Sequence, residues 1–400
     1  MSAALAALLI ASGVALAAPE EDVLGKAEGY PSCGRDIRPE QKCLVHLLSH
    51  YDELFESRRV PRGPDVRPLP RVASEPAIRY SSAGQTATID DFLARNRTTG
   101  LLIVQNGTVL VERYQYDREP SHRMASFSMA KSIVGMLVGI AVADGKIRSL
   151  DDPAELYVPA LKGSPYGETP IRHLLTMSSG VKFSETYSGF DDVATLAKLS
   201  LLRDGAGGAA TVRPFTTRER PAGQRFSYSS AETQVLGLVL RGATGESLAE
   251  YASRKLWQPM GAEADASWVI DGGGYEVAFA FFNATLRDYA RLGMLLADDG
   301  MRDGRAIIPA SWVRAATTPS APQFFPGMTG ALFGYGYQTW IIDAKEREFM
   351  LRGLRGQGIY VAPKSKIVMV HTAVKNVGVP DVAETLSLWN GVVKSLTAVR

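Results

Sequence analysis

The sequence contains only two cysteines in 400 residues, Cys33 and Cys43. Its five histidines, at 46, 50, 122, 173 and 371, are scattered and form no ligand spacing for zinc. Charge is also scarce: the formal net charge is +2, too little to ask for nucleic acid as a partner. There is no His-Glu-x-x-His helix, no phosphate-cradling Gly-x-x-x-x-Gly-Lys loop and no Gly-x-Ser-x-Gly turn. These absences remove a zinc protease, a nucleotide-phosphate site and a strand–turn–helix serine elbow. No internal repeat is present, so a solenoid or propeller is excluded too. No metal and no organic cofactor are called for.

One long apolar stretch stands at the start, "MSAALAALLIASGVALAA". Its small residues before Pro19 predict an export signal over 1–18, cleaved near Ala17 or Ala18, although the usual basic start is missing. The chain is then periplasmic or secreted, and it touches a membrane only if this segment stays uncleaved. A buried helix is the alternative reading. In an exported chain, two cysteines in one short loop predict a Cys33–Cys43 disulfide. Residues 19–78 read as an irregular N-terminal extension, with 56–71, rich in Pro and Arg, as an extended wrap or linker.

The main domain is expected over 79–400. It opens with two apolar runs around Asn106-Gly107, which predict a type I′ hairpin. The next segment, "ASFSMAKSIVGMLVGIAVADGKI", has apolar residues at helical spacing and Gly145 placed to end the helix. Residues 150–300 read mainly as helices broken by Gly and Pro, with a capping pair at Thr285 and Asp288. Strand patterns return in "GYGYQTWIID", "EFMLRGL", "GIYVAP" and "KIVMVHTAV", before a last helix. Strands at both ends predict an α/β (α+β) fold: one antiparallel sheet built from both chain ends, flanked by helices, with an inserted, mainly helical lobe.

Ser128 and Lys131 stand three residues apart at the start of the apolar helix. On a helix such residues share a face, so the amine can reach the hydroxyl. The helix N-terminus favours a developing oxyanion, and burial favours a neutral amine that can accept a proton. The competing reading is a serine cap with a lysine snorkelling to water. The chain carries its own control, Ser179-Gly-Val-Lys182, where the serine follows a helix end and precedes Gly180. That serine is expected to be structural.

A second group lies in "PAGQRFSYSSAETQVLG", just before a helix. Tyr228, if beside the Lys131 ammonium, has its pKa lowered and shares the proton work. Ser230 would hydrogen-bond the lysine or the substrate. His173, in an apolar helical stretch, is expected to be a satisfied core residue.

The order Ser128-x-x-Lys131, Tyr228-x-Ser230 and then a Gly-rich strand turn resembles the serine β-lactamase and penicillin-binding-protein fold. Within it, the chain is most similar to the class C-related esterases and amide hydrolases, including 6-aminohexanoate-dimer hydrolases. "DGKIRSLDDPAELYVPAL", "IRHLLTMSSGV" and "ATLRDYARLGMLL" extend the likeness. The resemblance implies Ser128 as nucleophile with Lys131 and Tyr228 as its proton partners. The family's Lys-Thr-Gly is absent; Leu351-Arg352-Gly353 of "LRGLRGQGIYVAP" stands in its place. By the same resemblance, the backbone N–H groups of Ser128 and Leu354 would form the oxyanion hole. Ser230, Arg352, Gly353 and Gln357 would meet the substrate, with Arg355 a second candidate to replace the missing lysine. The implied reaction is cleavage of a small amide or ester. The alternatives are β-lactamase or D-peptidase activity, or a non-catalytic envelope protein that binds peptidoglycan in the same cleft.

Overall fold

Asn106 and Gly107 both take positive φ, 49° and 78°. That pair closes a hairpin between Thr98–Gln105 and Thr108–Tyr114, as the sequence predicts. The hairpin forms one end of a seven-stranded antiparallel sheet in this computed structural model, which describes residues 17–35, 39–202, 207–377 and 382–398. Beside Thr98–Gln105 lies Ile367–Ala373. Beyond it come Gly358–Ala362, Glu348–Arg352, Trp340–Asp343 and Gly334–Tyr335. The sheet is therefore assembled from both ends of the chain. The apolar segment 1–18 lies, apart from its last two residues, outside the described residues.

Every residue of Ile367–Ala373 is buried, so both faces of the sheet are covered. Leu102, Val361 and Val368 face the core shared with helix Leu286–Ala297. Their neighbours Ile103, Tyr360 and Met369 face Leu388, Trp389 and Val392 of helix Ala383–Thr397. This is the period of two that a strand imposes. Helix Leu286–Ala297 approaches very closely at Gly293, where an added Cβ would lie 2.5 Å from Val368 Cγ1.

Helix Met129–Ala143 is buried at every position from Met129 to Ala141. It ends with Gly145 at φ 71°, where Gly145 N–H donates to Val142 O and Lys146 N–H to Ala141 O. That is the paired closure a left-handed glycine makes possible. Helix Ser230–Thr244 packs against it.

The structure sharpens the sequence reading in two places. Of the two readings of 56–71, residues 57–60 take the extended wrap and not the linker. They form an edge strand, Ser57–Val60, paired with Ala266–Val269 in a second sheet that continues through Phe282–Thr285 to Arg123–Ala125. Pro and Arg describe the local chain, but the partner that makes it a strand is some two hundred residues away. Residues 150–300, read as mainly helical, also supply two strands of this second sheet, besides the helix that covers the first. Among the described residues no helix is long and apolar enough to cross a membrane.

The tight approach at Gly293 yields a stability test. Gly293→Ala should lower unfolding free energy by about 1–3 kcal/mol through overpacking, read from urea denaturation. An unchanged midpoint would mean the helix can lift away freely.

Candidate active site

Ser128 occupies the position before the first residue of the buried helix, yet its hydroxyl caps no backbone N–H. It meets the side chain of Lys131 instead, whose Nζ lies 2.8 Å from Ser128 Oγ. Lys131 does not snorkel: the residue is 1% exposed. Its Nζ also donates to the Phe279 carbonyl at 3.0 Å, and sits 5.1 Å from the Tyr228 ring centroid. Burial pulls the ammonium down from 10.5 to about 8, with the Glu185 carboxylate pulling the other way. An amine so placed is poised to be neutral close to physiological pH.

The residue before Ser128, Phe127, has φ 43°, a left-handed conformation that bulky side chains avoid. Gly353 fits directly against this turn. A Cβ there would lie 2.2 Å from the Ser126 carbonyl oxygen and 3.2 Å from Phe127 Cβ. The missing side chain at Gly353 is thus what lets the end of strand Glu348–Arg352 reach the start of the helix. Among the described residues, neither the Ser128 nor the Leu354 backbone N–H donates to a backbone carbonyl.

Tyr228 is fixed from behind. Ser227 N–H donates to Met177 O at 2.8 Å, and the Tyr228 ring stacks on Trp340 at 5.3 Å. Its pKa departs from the sequence expectation. Burial raises it well above 10, Glu185 adds to the rise, and only the Ser128 hydroxyl and Arg352 oppose it. Desolvation outweighs both lowering influences, so the phenol moves opposite to the sequence expectation. Tyr228 is a neutral phenol at ordinary pH.

Glu185 was not singled out by the sequence, since an acidic residue in a loop is usually solvated. Here its carboxylate accepts from Ser230 N–H and from Ser230 Oγ, both at 2.8 Å, and from the Tyr187 hydroxyl at 2.7 Å. Ser230 therefore bonds to Glu185, where the sequence reading had offered the lysine or the substrate. Arg352 acts electrostatically on both Tyr228 and Tyr187. Arg355 turns back to donate to the Lys375 carbonyl. Gln357 is 3% exposed, and its amide is taken up by the backbone of Ala373 on both sides. It braces the Gly353 turn and presents no free amide to a ligand.

The control serine behaves differently. Ser179 Oγ donates to the buried Glu232 carboxylate at 2.5 Å, while Lys182 is exposed and lies 4.0 Å from Glu219. Spacing alone does not make the pair; burial of the lysine does. His173 is half-buried, with Nδ1 3.4 Å from Ser178 Oγ. A disulfide joins Cys33 and Cys43 in the extension. Among the described residues no three His, Cys, Asp or Glu side chains gather as a metal site.

A family model for β-lactamase matches residues 86–390. The chain belongs to the β-lactamase family. It is a serine hydrolase with that fold. Its relatives include a 6-aminohexanoate-dimer hydrolase from Paenarthrobacter ureafaciens, 28% identical over 313 residues, spanning 75% of this chain and 79% of the relative. A solved structure from Bacillus anthracis, named provisionally as a 6-aminohexanoate-dimer hydrolase, superposes with a TM-score of 0.81. It is 26% identical, with 89% of this chain and 95% of the other covered. A penicillin-binding-protein homologue from Caulobacter crescentus shares the fold at a TM-score of 0.56, with 17% identity and coverage of 76% of this chain and 93% of the other.

Two tests follow from the geometry. Gly353→Val should collide with the Ser126 carbonyl and Phe127, displace the turn before Ser128 and cost about 10²-fold in kcat; an unaffected kcat would show that the approach is not needed. Removing the Glu185 charge should lower the Lys131 pKa further, because that carboxylate favours the ammonium. The acidic limb of kcat/KM, on which activity rises as Lys131 loses its proton near pH 8, should therefore move to lower pH in Glu185→Gln. A limb that stays or rises would contradict the assignment.

Proposed function

We propose that this protein is an exported serine hydrolase that cleaves a small linear amide, or an ester, through an acyl-enzyme on Ser128. The observation that carries the reading is the 2.8 Å contact between a fully buried lysine amine and the Ser128 hydroxyl. The family and the 6-aminohexanoate-dimer hydrolase relative favour an amide as substrate. Leu351-Arg352-Gly353, where Lys-Thr-Gly would hold a β-lactam carboxylate, favours a linear substrate over a β-lactam.

In this mechanism neutral Lys131 takes the Ser128 proton as Oγ attacks the carbonyl carbon. The oxyanion forms between the backbone N–H groups of Ser128 and Leu354. Tyr228, kept as a neutral phenol by burial, donates its proton to the leaving nitrogen or oxygen as the bond to it breaks. The phenolate recovers a proton from the Lys131 ammonium. Water then attacks the acyl ester, gives up a proton to the same pair, and releases the acid and free Ser128. The two groups titrate as a coupled set, but their environments push them in opposite directions, which separates base from acid.

Intact-mass measurement tests this directly. Wild-type protein exposed briefly to an activated short-chain ester, a linear aminohexanoate dimer and a cephalosporin should gain an acyl mass with the first two, and Ser128→Ala with none. Adducts on Ser128→Ala, or turnover by it at the wild-type rate, would remove Ser128 from the mechanism. Rapid turnover of the cephalosporin with none of the dimer would replace the linear amide by a β-lactam.

A further inference from the structure

The strained turn at Phe127 needs something to hold it. A bulky residue at φ 43° persists only where surrounding contacts over-determine it. Some of those contacts come from the core of the family fold: Phe281, whose ring centroid is 5.7 Å from that of Phe127, and Gly353. Others come from the N-terminal extension, which precedes the family match at 86–390. Tyr51 meets the Phe127 ring edge-on at 6.1 Å, stacks with Phe55 at 5.4 Å and lies 4.7 Å from Phe281. Leu48 O accepts from Ala125 N–H at 2.8 Å, three residues before Ser128. Asp52, next to Tyr51, bonds both Arg123 Nε at 2.6 Å and Ser267 Oγ at 2.9 Å, so it ties together two strands of the sheet that delivers the nucleophile. The extension also contributes that sheet's edge, Ser57–Val60.

We infer that the N-terminal extension is part of the catalytic apparatus, with Tyr51 a positioning residue that holds Phe127, and through it Ser128, in the attacking geometry. This rests on the reading of Ser128 as nucleophile. Tyr51 acts through its ring. It is buried, its ring has three aromatic neighbours, and its role is to deny Phe127 the space to relax to negative φ. Displacement of a nucleophile by about 1 Å costs up to about 10²-fold in rate without altering affinity in proportion. Tyr51 is 6% exposed and acts through Phe127, so the loss belongs in the acylation step.

The experiment is a double-mutant cycle on full-length protein, read by the pre-steady-state burst with p-nitrophenyl acetate and, separately, by urea unfolding. Tyr51→Ala should lower the acylation rate at least ten-fold while the ester's apparent binding constant stays within two-fold. Tyr51→Phe should stay within two-fold of wild type in both. Phe127→Gly removes the need for a brace, because glycine takes positive φ without strain. In that background Tyr51→Ala should cost less than about three-fold, and the two substitutions should be non-additive in urea as well. A wild-type burst in folded Tyr51→Ala, or equal losses in both backgrounds, overturns the inference. Should Tyr51→Ala fail to fold, Tyr51→Leu takes its place, with the same ten-fold loss expected and wild-type acylation again decisive against it. If Ser128→Ala turns over the ester at the wild-type rate, the Ser128 reading fails; the urea coupling still reports whether Tyr51 braces Phe127, and additivity there overturns the brace alone.

Discussion

The arrangement depends on hiding one positive charge. Lys131 sits in a helix that is buried along nearly its whole length, with one carbonyl and one hydroxyl for its amine. Such a group is costly as an ammonium, and its cost is the source of its basicity. The surroundings tune this without cancelling it. Glu185 supplies a negative charge to the same region, but its oxygens are engaged by Ser230 and Tyr187, not by the lysine. A direct ion pair would return the lysine to a permanently charged state. The same desolvation moves Tyr228 upward, so a single physical cause favours the neutral amine and the neutral phenol side by side.

Geometry adds a second constraint. The site forms where the second sheet ends at Ala125, three residues before Ser128, and where strand Glu348–Arg352 of the main sheet gives way to Gly353. Bringing the two ends together requires the absence of a side chain at 353 and a left-handed backbone at 127. Neither is favourable locally, and each is sustained by packing from elsewhere: Phe281, Trp340 behind Tyr228, Gln357 clamped onto Ala373. Local rules are broken at the site and obeyed in the surrounding strands and helices, as expected where function opposes foldability.

What was legible in the sequence follows from this division. The Asn106-Gly107 hairpin, the buried helix with its Gly145 stop and the sheet built from both ends all rest on local patterns. The placing of Ser128 beside Lys131 rests on helical spacing, which is also local. The strand at 57–60 was hidden, because its identity comes from a partner far along the chain and its Pro- and Arg-rich flanks argue for an extended wrap or linker. Glu185 was hidden because nothing in "FSETYSG" separates a structural carboxylate from a solvated one. The phenol's shift was misjudged in sign, since proximity to a cation was counted and desolvation was not. Gln357 looked available in "LRGQG", yet a polar side chain beside a buried strand is more cheaply satisfied by that strand's backbone.

The most direct test is the titration of the Lys131 amine itself. Lysine labelled at Cε with ¹³C can be followed by NMR from pH 6 to 11, with Lys131→Met used to assign the resonance. One lysine should titrate near pH 8, away from the group near 10.5, and that signal should vanish in the variant. If Lys131 titrates with the others, its charge is not suppressed, and a neutral lysine base for Ser128 is ruled out.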